Sequence, residues 1–241
     1  MTPAVLRLVL YFFVLVSASG ARAETYDIDA SHTEVRFTWD HLGLSRQGGR
    51  FTSLSGKVDF DPDAPEQSTV EVKIPVRSIA TGVKALDEAL VGSKDYFDVV
   101  LHPDITFKST SVTLRSDKTA DVAGDLTING VTRSVVLDVV WNFTGPHPLR
   151  AINPVYAGKI SSGFSATTQI RRGDWGITRG APFVSDEIRI SIEAEMLRLA
   201  PLEGGEPVEA LSGDAALPEA EAQSAAGDAE RGVAASPGDG Q

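Results

Sequence analysis

The chain has 241 residues, a net charge of −11 and no cysteine. The missing cysteine excludes a disulfide framework, thiolate metal ligands, thiol redox chemistry and an acylated-cysteine anchor. The acidity is uneven: the last 39 residues carry −8 and the stretch 24–202 only −5, and neither figure suits a nucleic-acid binder.

The start of the chain reads as a signal peptide. Arg7 is followed by the apolar run Leu8 to Val16 and then by Ala21-Arg22-Ala23, an A-x-A cleavage pattern. Nine apolar residues fall short of the ~20 that span a bilayer. Residues 1–23 are therefore expected to be removed after Ala23 and the chain exported to the periplasm, with no integral membrane segment in the mature form.

From residue 24 to 202 the pattern is alternation, the signature of half-buried strands. Val35, Phe37 and Trp39 alternate with charged and polar residues, as do Val58 and Phe60, and then Val70, Val72 and Ile74. Val122 leads to Leu126 and Ile128. Val135, Leu137, Val139, Trp141 and Phe143 share one face of a long strand. Phe164 to Ile170 and then Ile188, Ile190 and Ile192 complete the series. Asn129-Gly130 between two such runs predicts a tight hairpin. Thr81 to Val99 breaks the pattern. Val83, Leu86 and Leu90 have helical spacing, and Ser93 is placed to cap a turn carrying Tyr96 and Phe97. One or two short helices are expected here, lying over an open end. Residues 146–157 read as a loop. Residues 203–241 hold nine acids against Arg231 and no aromatic residue, and are expected to be a disordered acidic tail.

The expected fold is all-β: an antiparallel closed barrel of about eight strands with one or two short helices near one end. A barrel of that size is either filled by side chains or holds one ligand. The inward set includes Phe37, Trp39, Phe60, Phe107, Trp141 and Phe164, and the pattern leaves both readings open.

Catalytic signatures are absent: there is no G-x-S-x-G, P-loop or H-E-x-x-H run. His32, Glu34 and His41 are the tightest ligand-like set, and a metal-dependent hydrolase would need them to converge. The simpler expectation is that His32 hydrogen-bonds near a strand start and His41 closes the turn before Gly43. Ser31 beside His32 makes a poor nucleophile–base pair, since neighbours on a strand point to opposite faces. Arg171, Arg172 and Arg179 surround Gly173-Asp174-Trp175-Gly176. They are candidates for holding a polar head group, or for surface ion pairs with Asp174 or Asp186. Trp175 is expected to plug an end of the barrel.

Several runs in order resemble the YceI-like proteins. The first is Tyr26-Asp27-Ile28-Asp29-Ala30-Ser31-His32-Thr33-Glu34-Val35-Arg36-Phe37, followed by His41-Leu42-Gly43-Leu44-Ser45 and Gly56-Lys57-Val58-Asp59-Phe60-Asp61-Pro62. Pro103-Asp104-Ile105-Thr106-Phe107-Lys108-Ser109, Gly124-Asp125-Leu126-Thr127-Ile128-Asn129-Gly130 and Ile170-Arg171-Arg172-Gly173-Asp174-Trp175-Gly176-Ile177 continue it. The resemblance implies a lipocalin-like barrel in the periplasm with a polyisoprenoid in its lumen, a polyprenyl phosphate or an isoprenoid quinone. No cofactor is required beyond that lipid, and no enzymatic activity is implied. Lumen contacts are then expected from Phe37, Trp39, Phe60, Phe107, Trp141 and Phe164, from Leu126, Leu137 and Val139, and from Leu86, Leu90 and Phe97 of the helical segment. The run Leu86-Asp87-Glu88-Ala89-Leu90 lacks the basic residue and histidine of many relatives, which favours a neutral head group. The alternatives are a non-catalytic envelope stress or interaction protein with a filled barrel and a docking tail, and the hydrolase above. A homodimer is left open, and the sequence names no partner for the tail.

Overall fold

The computed structural model describes residues 23–200. The expected signal peptide, apart from Ala23, and the expected acidic tail lie outside them.

Eleven strands build the wall: β1 (Glu24–Ile28), β2 (Glu34–His41), β3 (Ser45–Phe51), β4 (Ser55–Phe60), β5 (Thr69–Pro75), β6 (Ile79–Ala80), β7 (Asp104–Ser116), β8 (Thr119–Ile128), β9 (Val131–Pro146), β10 (Lys159–Arg171) and β11 (Val184–Leu199). All pairings are antiparallel. β1 pairs with β4 and β2 with β3, while β11 pairs with β2 along one part of its length and with β1 along another. β1–β2, β3–β4 and β5–β6 are thus three broken staves. With β7 to β11 they make a closed barrel of eight.

β3 and β7 were not legible as strands. β3 reads Ser-Arg-Gln-Gly-Gly-Arg-Phe with no alternation, and exists because β2 hydrogen-bonds along its whole length. β7 alternates only as far as Phe107. A bulge between Ser109 and Ser111 then resets its period.

The expected helical segment holds one helix, α1 (Lys84–Gly92). Asp87 accepts from both the N–H and the Oγ1 of Thr81, at 2.7 Å each, which anchors its first turn. The second expected helix is only a turn: Ser93 accepts from Tyr96 through its carbonyl and from Asp95 through its hydroxyl. None of the residues of α1 is buried.

We call the end carrying α1 and the β2–β3 and β8–β9 turns the upper end. The β7–β8 turn and the 147–158 loop mark the lower end. The lower end is packed. Tyr26, Val58, Phe60 and Met196 are buried there, with Trp141 and Phe164 against them. The Phe60 ring meets Trp141 and Phe164 edge-on at 5.1 and 5.2 Å. Trp141 donates to Thr144 Oγ1 at 2.8 Å, and the Lys118 ammonium lies 3.4 Å from the centre of its ring.

Candidate functional site

The barrel is hollow. A cavity of about 630 Å³ runs along its axis, within the ~300–1,000 Å³ range of small-molecule sites. Its wall is overwhelmingly apolar, from Val72 and Ile74 on one side to Leu137, Val139 and Ile190 on the other.

Two glycines explain why a ring-rich interior is not filled. A methyl group on Gly124 would lie 2.4 Å from the Phe107 ring, and one on Gly49 would lie 2.8 Å from the Phe37 ring. The tip of each ring therefore fills the space on a neighbouring strand where a side chain is missing, which keeps it against the wall. Ala120, Ala166 and Ala194, also inward, leave further room.

The structure places all twelve lumen candidates, Phe37, Trp39, Phe60, Leu86, Leu90, Phe97, Phe107, Leu126, Leu137, Val139, Trp141 and Phe164, on this cavity. Leu86 and Leu90 project from α1 into its upper part. His41, Gln47, Thr81, Val83 and Val184, not foreseen from the pattern, edge the upper mouth. The spacing of Val83 with Leu86 was the one available signal.

The three arginines separate. Arg171 is exposed and faces outward. Arg172 lies 7% exposed beside the lumen, but its donors are spent on backbone. Nε donates to Ser185 O at 2.9 Å, Nη1 to Ile177 O at 2.9 Å and Arg179 O at 2.8 Å, and Nη2 to Val184 O at 3.1 Å. It ties together the 172–185 segment, which occupies four of its five donors. Arg179 edges the cavity, and its Nη1 donates to Asp95 at 2.8 Å, with the guanidinium 5.8 Å from the Tyr96 ring. The expected ion pairs with Asp174 or Asp186 do not form. Asp186 instead accepts from the Gly173 N–H at 2.8 Å. Trp175 is buried, donates to Leu126 O at 3.3 Å and covers part of the upper end, as a plug would.

His32, Glu34 and His41 each have other business. His32 sits in the turn before β2, 2.9 Å from Asp29, whose carboxylate also accepts from the Ser31 N–H. The hydrogen bond that His32 donates to Asp29, helped by the carboxylate's charge, raises the His32 pKa. Glu34 bonds Arg36 at 2.6 Å and Arg50 at 3.4 Å, and those bonds, Arg36's first, hold its carboxyl below the usual range. His41 closes the β2–β3 turn, its carbonyl accepting from Leu44 at 3.0 Å. Among the described residues no three His, Asp or Glu side chains gather to hold a metal ion.

A family model described as the YceI-like domain matches residues 26–196. The chain belongs to the YceI-like domain family. A UPF0312 protein of Pseudomonas savastanoi pv. phaseolicola is 36% identical over 170 residues, covering 70% of this chain and 84% of the relative. The crystal structure of the Campylobacter jejuni YceI protein is 28% identical, with a TM-score of 0.58 over 66% of this chain and 89% of that one. Burkholderia cenocepacia BcnA, at 23% identity and a TM-score of 0.60 over 70% and 98%, shares the fold. The eight-stave barrel is thus the family's fold, and the lumen is what this YceI-like chain offers as a site.

Proposed function

We propose that the protein is an exported, periplasmic carrier that holds an isoprenoid lipid in its lumen and catalyses no reaction. The observation that carries this reading is the cavity of about 630 Å³ with its apolar wall. A long unsaturated chain gains roughly 0.8 kcal/mol for each CH₂ moved from water into such a space, and needs no placed catalytic group. An isoprenoid is also what the family resemblance implies, and the signal-peptide pattern supports export. Of the two head groups the neutral one, an isoprenoid quinone, fits better, because the arginines at the upper mouth are engaged by backbone carbonyls and by Asp95.

The test is organic extraction of the purified mature protein followed by mass spectrometry. The expected result is a stoichiometric isoprenoid species. An empty extract from a host rich in such lipids, with no uptake of added isoprenoid quinone, overturns the reading. Trp141→Asp, which puts a charge at the bottom of the lumen, is expected to abolish uptake.

A further inference from the structure

Exposed apolar side chains lie at both ends of the barrel and along the outer face of β9. At the lower end Leu114 alone of them touches the lumen, whereas at the upper end a group of them surrounds its mouth. At the upper end Leu42 is 48%, Leu44 82%, Val83 55% and Phe183 67% exposed. The Leu42 N–H donates to the Phe183 carbonyl at 2.8 Å, which joins two loop tips into one patch. Val83 itself lines the cavity, and so do His41 and Val184, the chain neighbours of Leu42 and Phe183. The apolar group on the lower loop, Leu149, Ile152 and Val155, has no such continuity, since no residue between Trp141 and Phe164 reaches the cavity.

The β2–β3 turn adds a second, independent observation. Leu42 and Gly43 have φ of 61° and 67°, the left-handed pair of a tight hairpin turn. The β8–β9 turn solves the same problem with Asn129 and Gly130, at 50° and 72°. Asparagine tolerates that conformation, whereas a leucine there is strained. Strained and wet, Leu42 is the opposite of what stability would choose, and strain kept in this way points to use.

Resting on the lipid-carrier reading, we infer that the upper rim, Leu42, Leu44, Val83 and Phe183, docks on the surface of a lipid bilayer, so that an isoprenoid chain passes into the lumen without crossing water. A chain that gains from leaving water is stored in bilayers, so the donor phase is a membrane. Four side chains on loop tips fall well short of the ~800 Å² per partner that a stable protein interface buries. They match the shallow insertion of apolar tips at a membrane surface. Of the basic residues at the rim, Arg179 is paired with Asp95, Lys84 lies 3.6 Å from Glu88, and Arg46 stands opposite Asp40 across the β2–β3 pair. Docking therefore depends on insertion, not on anionic lipid, and salt does not weaken it.

The experiment uses the mature protein and vesicles of phosphatidylcholine loaded with an isoprenoid quinone. Uptake is measured by two routes: extraction from the vesicles and direct addition of the quinone in detergent. Leu44→Asp with Phe183→Asp is expected to slow vesicle extraction about tenfold or more while leaving detergent-route binding unchanged. Leu42→Asn is expected to raise the melting temperature and yet slow extraction. Triple substitution of Leu149, Ile152 and Val155 by Asp leaves both routes unchanged. The inference is overturned if the upper-rim variants extract as fast as wild type, if the lower-loop variant carries the loss, or if high salt abolishes vesicle binding. It is also overturned if the rim proves to join two copies, seen as a dimer that Leu44→Asp dissociates. Failure of the wild type to bind quinone by either route instead overturns the carrier reading.

Discussion

The lower end of the barrel is packed with rings that touch one another, whereas the upper end is covered in part by a helix with no buried residue. Phe60 is 3% exposed and touches Tyr26, Trp141 and Phe164. α1 rests Leu86 and Leu90 on the lumen and is held by Thr81–Asp87 before it and by the turn at Ser93 after it. Close packing fixes one arrangement of side chains. A lid over a cavity forfeits those contacts and is free to respond to what fills the space beneath it. The contrast is local to α1, since Val76, Val99, Trp175 and Ile177 beside it are buried in the core.

The sharpest way to break this comparison is to truncate both ends. Phe60→Ala removes a ring from a packed cluster and is expected to cost about 3–5 kcal/mol of stability, read as a lower midpoint of urea unfolding. Leu90→Asp on α1 is expected to cost under ~1 kcal/mol, because the position is half-exposed, and yet to abolish quinone uptake. If the two variants lose stability equally, the lid is as much a part of the core as the floor is.

Arg172 and Arg179 sharpen the comparison within the upper end. Arg172→Met leaves buried carbonyls of the 177–185 segment without donors, and a loss of about 2–4 kcal/mol is expected. Arg179→Met breaks an exposed ion pair with Asp95 and is expected to cost at most ~1 kcal/mol. Thermal melts of the two variants check the ordering. A cheap Arg172→Met would mean that those carbonyls find water, and that the segment is looser than its hydrogen bonds imply.

The barrel was legible where alternation survives. Val35-Phe37-Trp39 and Ile188-Ile190-Ile192 face inward because each strand is buried on one side only, and period two records that directly. Where the neighbours do the specifying, as for Gly48 and Gly49 in β3, the sequence is silent. The hollow interior was equally out of reach. It depends on Phe107 meeting Gly124 across a strand pair, a matter of register that composition does not record. The arginines mislead for a related reason. Side by side in sequence, Arg171 faces solvent and Arg172 the interior, and only the loop that folds over Arg172 shows which carbonyls consume its donors.

The smallest expected effect lies on the hinge between β1 and β2, where the wall passes from the packed floor toward the open end. Burial alone would raise the Asp29 carboxyl, but the hydrogen bonds from His32 and from the Ser31 N–H outweigh it, and its pKa is lowered from 3.8. His32 is raised from 6.5 by the same pair. A lowered carboxylate stabilises the fold above its unfolded pKa and loses that contribution as pH falls through its folded value. A raised imidazole stabilises below about 6.5 and loses its contribution as pH climbs through its folded value. The two windows overlap between about pH 4 and pH 6.5. The pair is solvent-exposed on the histidine side, so screening keeps the effect small. His32→Ala is therefore expected to lower the melting temperature slightly at about pH 5 and not at all at about pH 8. A difference that persists unchanged at the higher pH would show that the ring holds the hinge by packing, and that the charge is incidental.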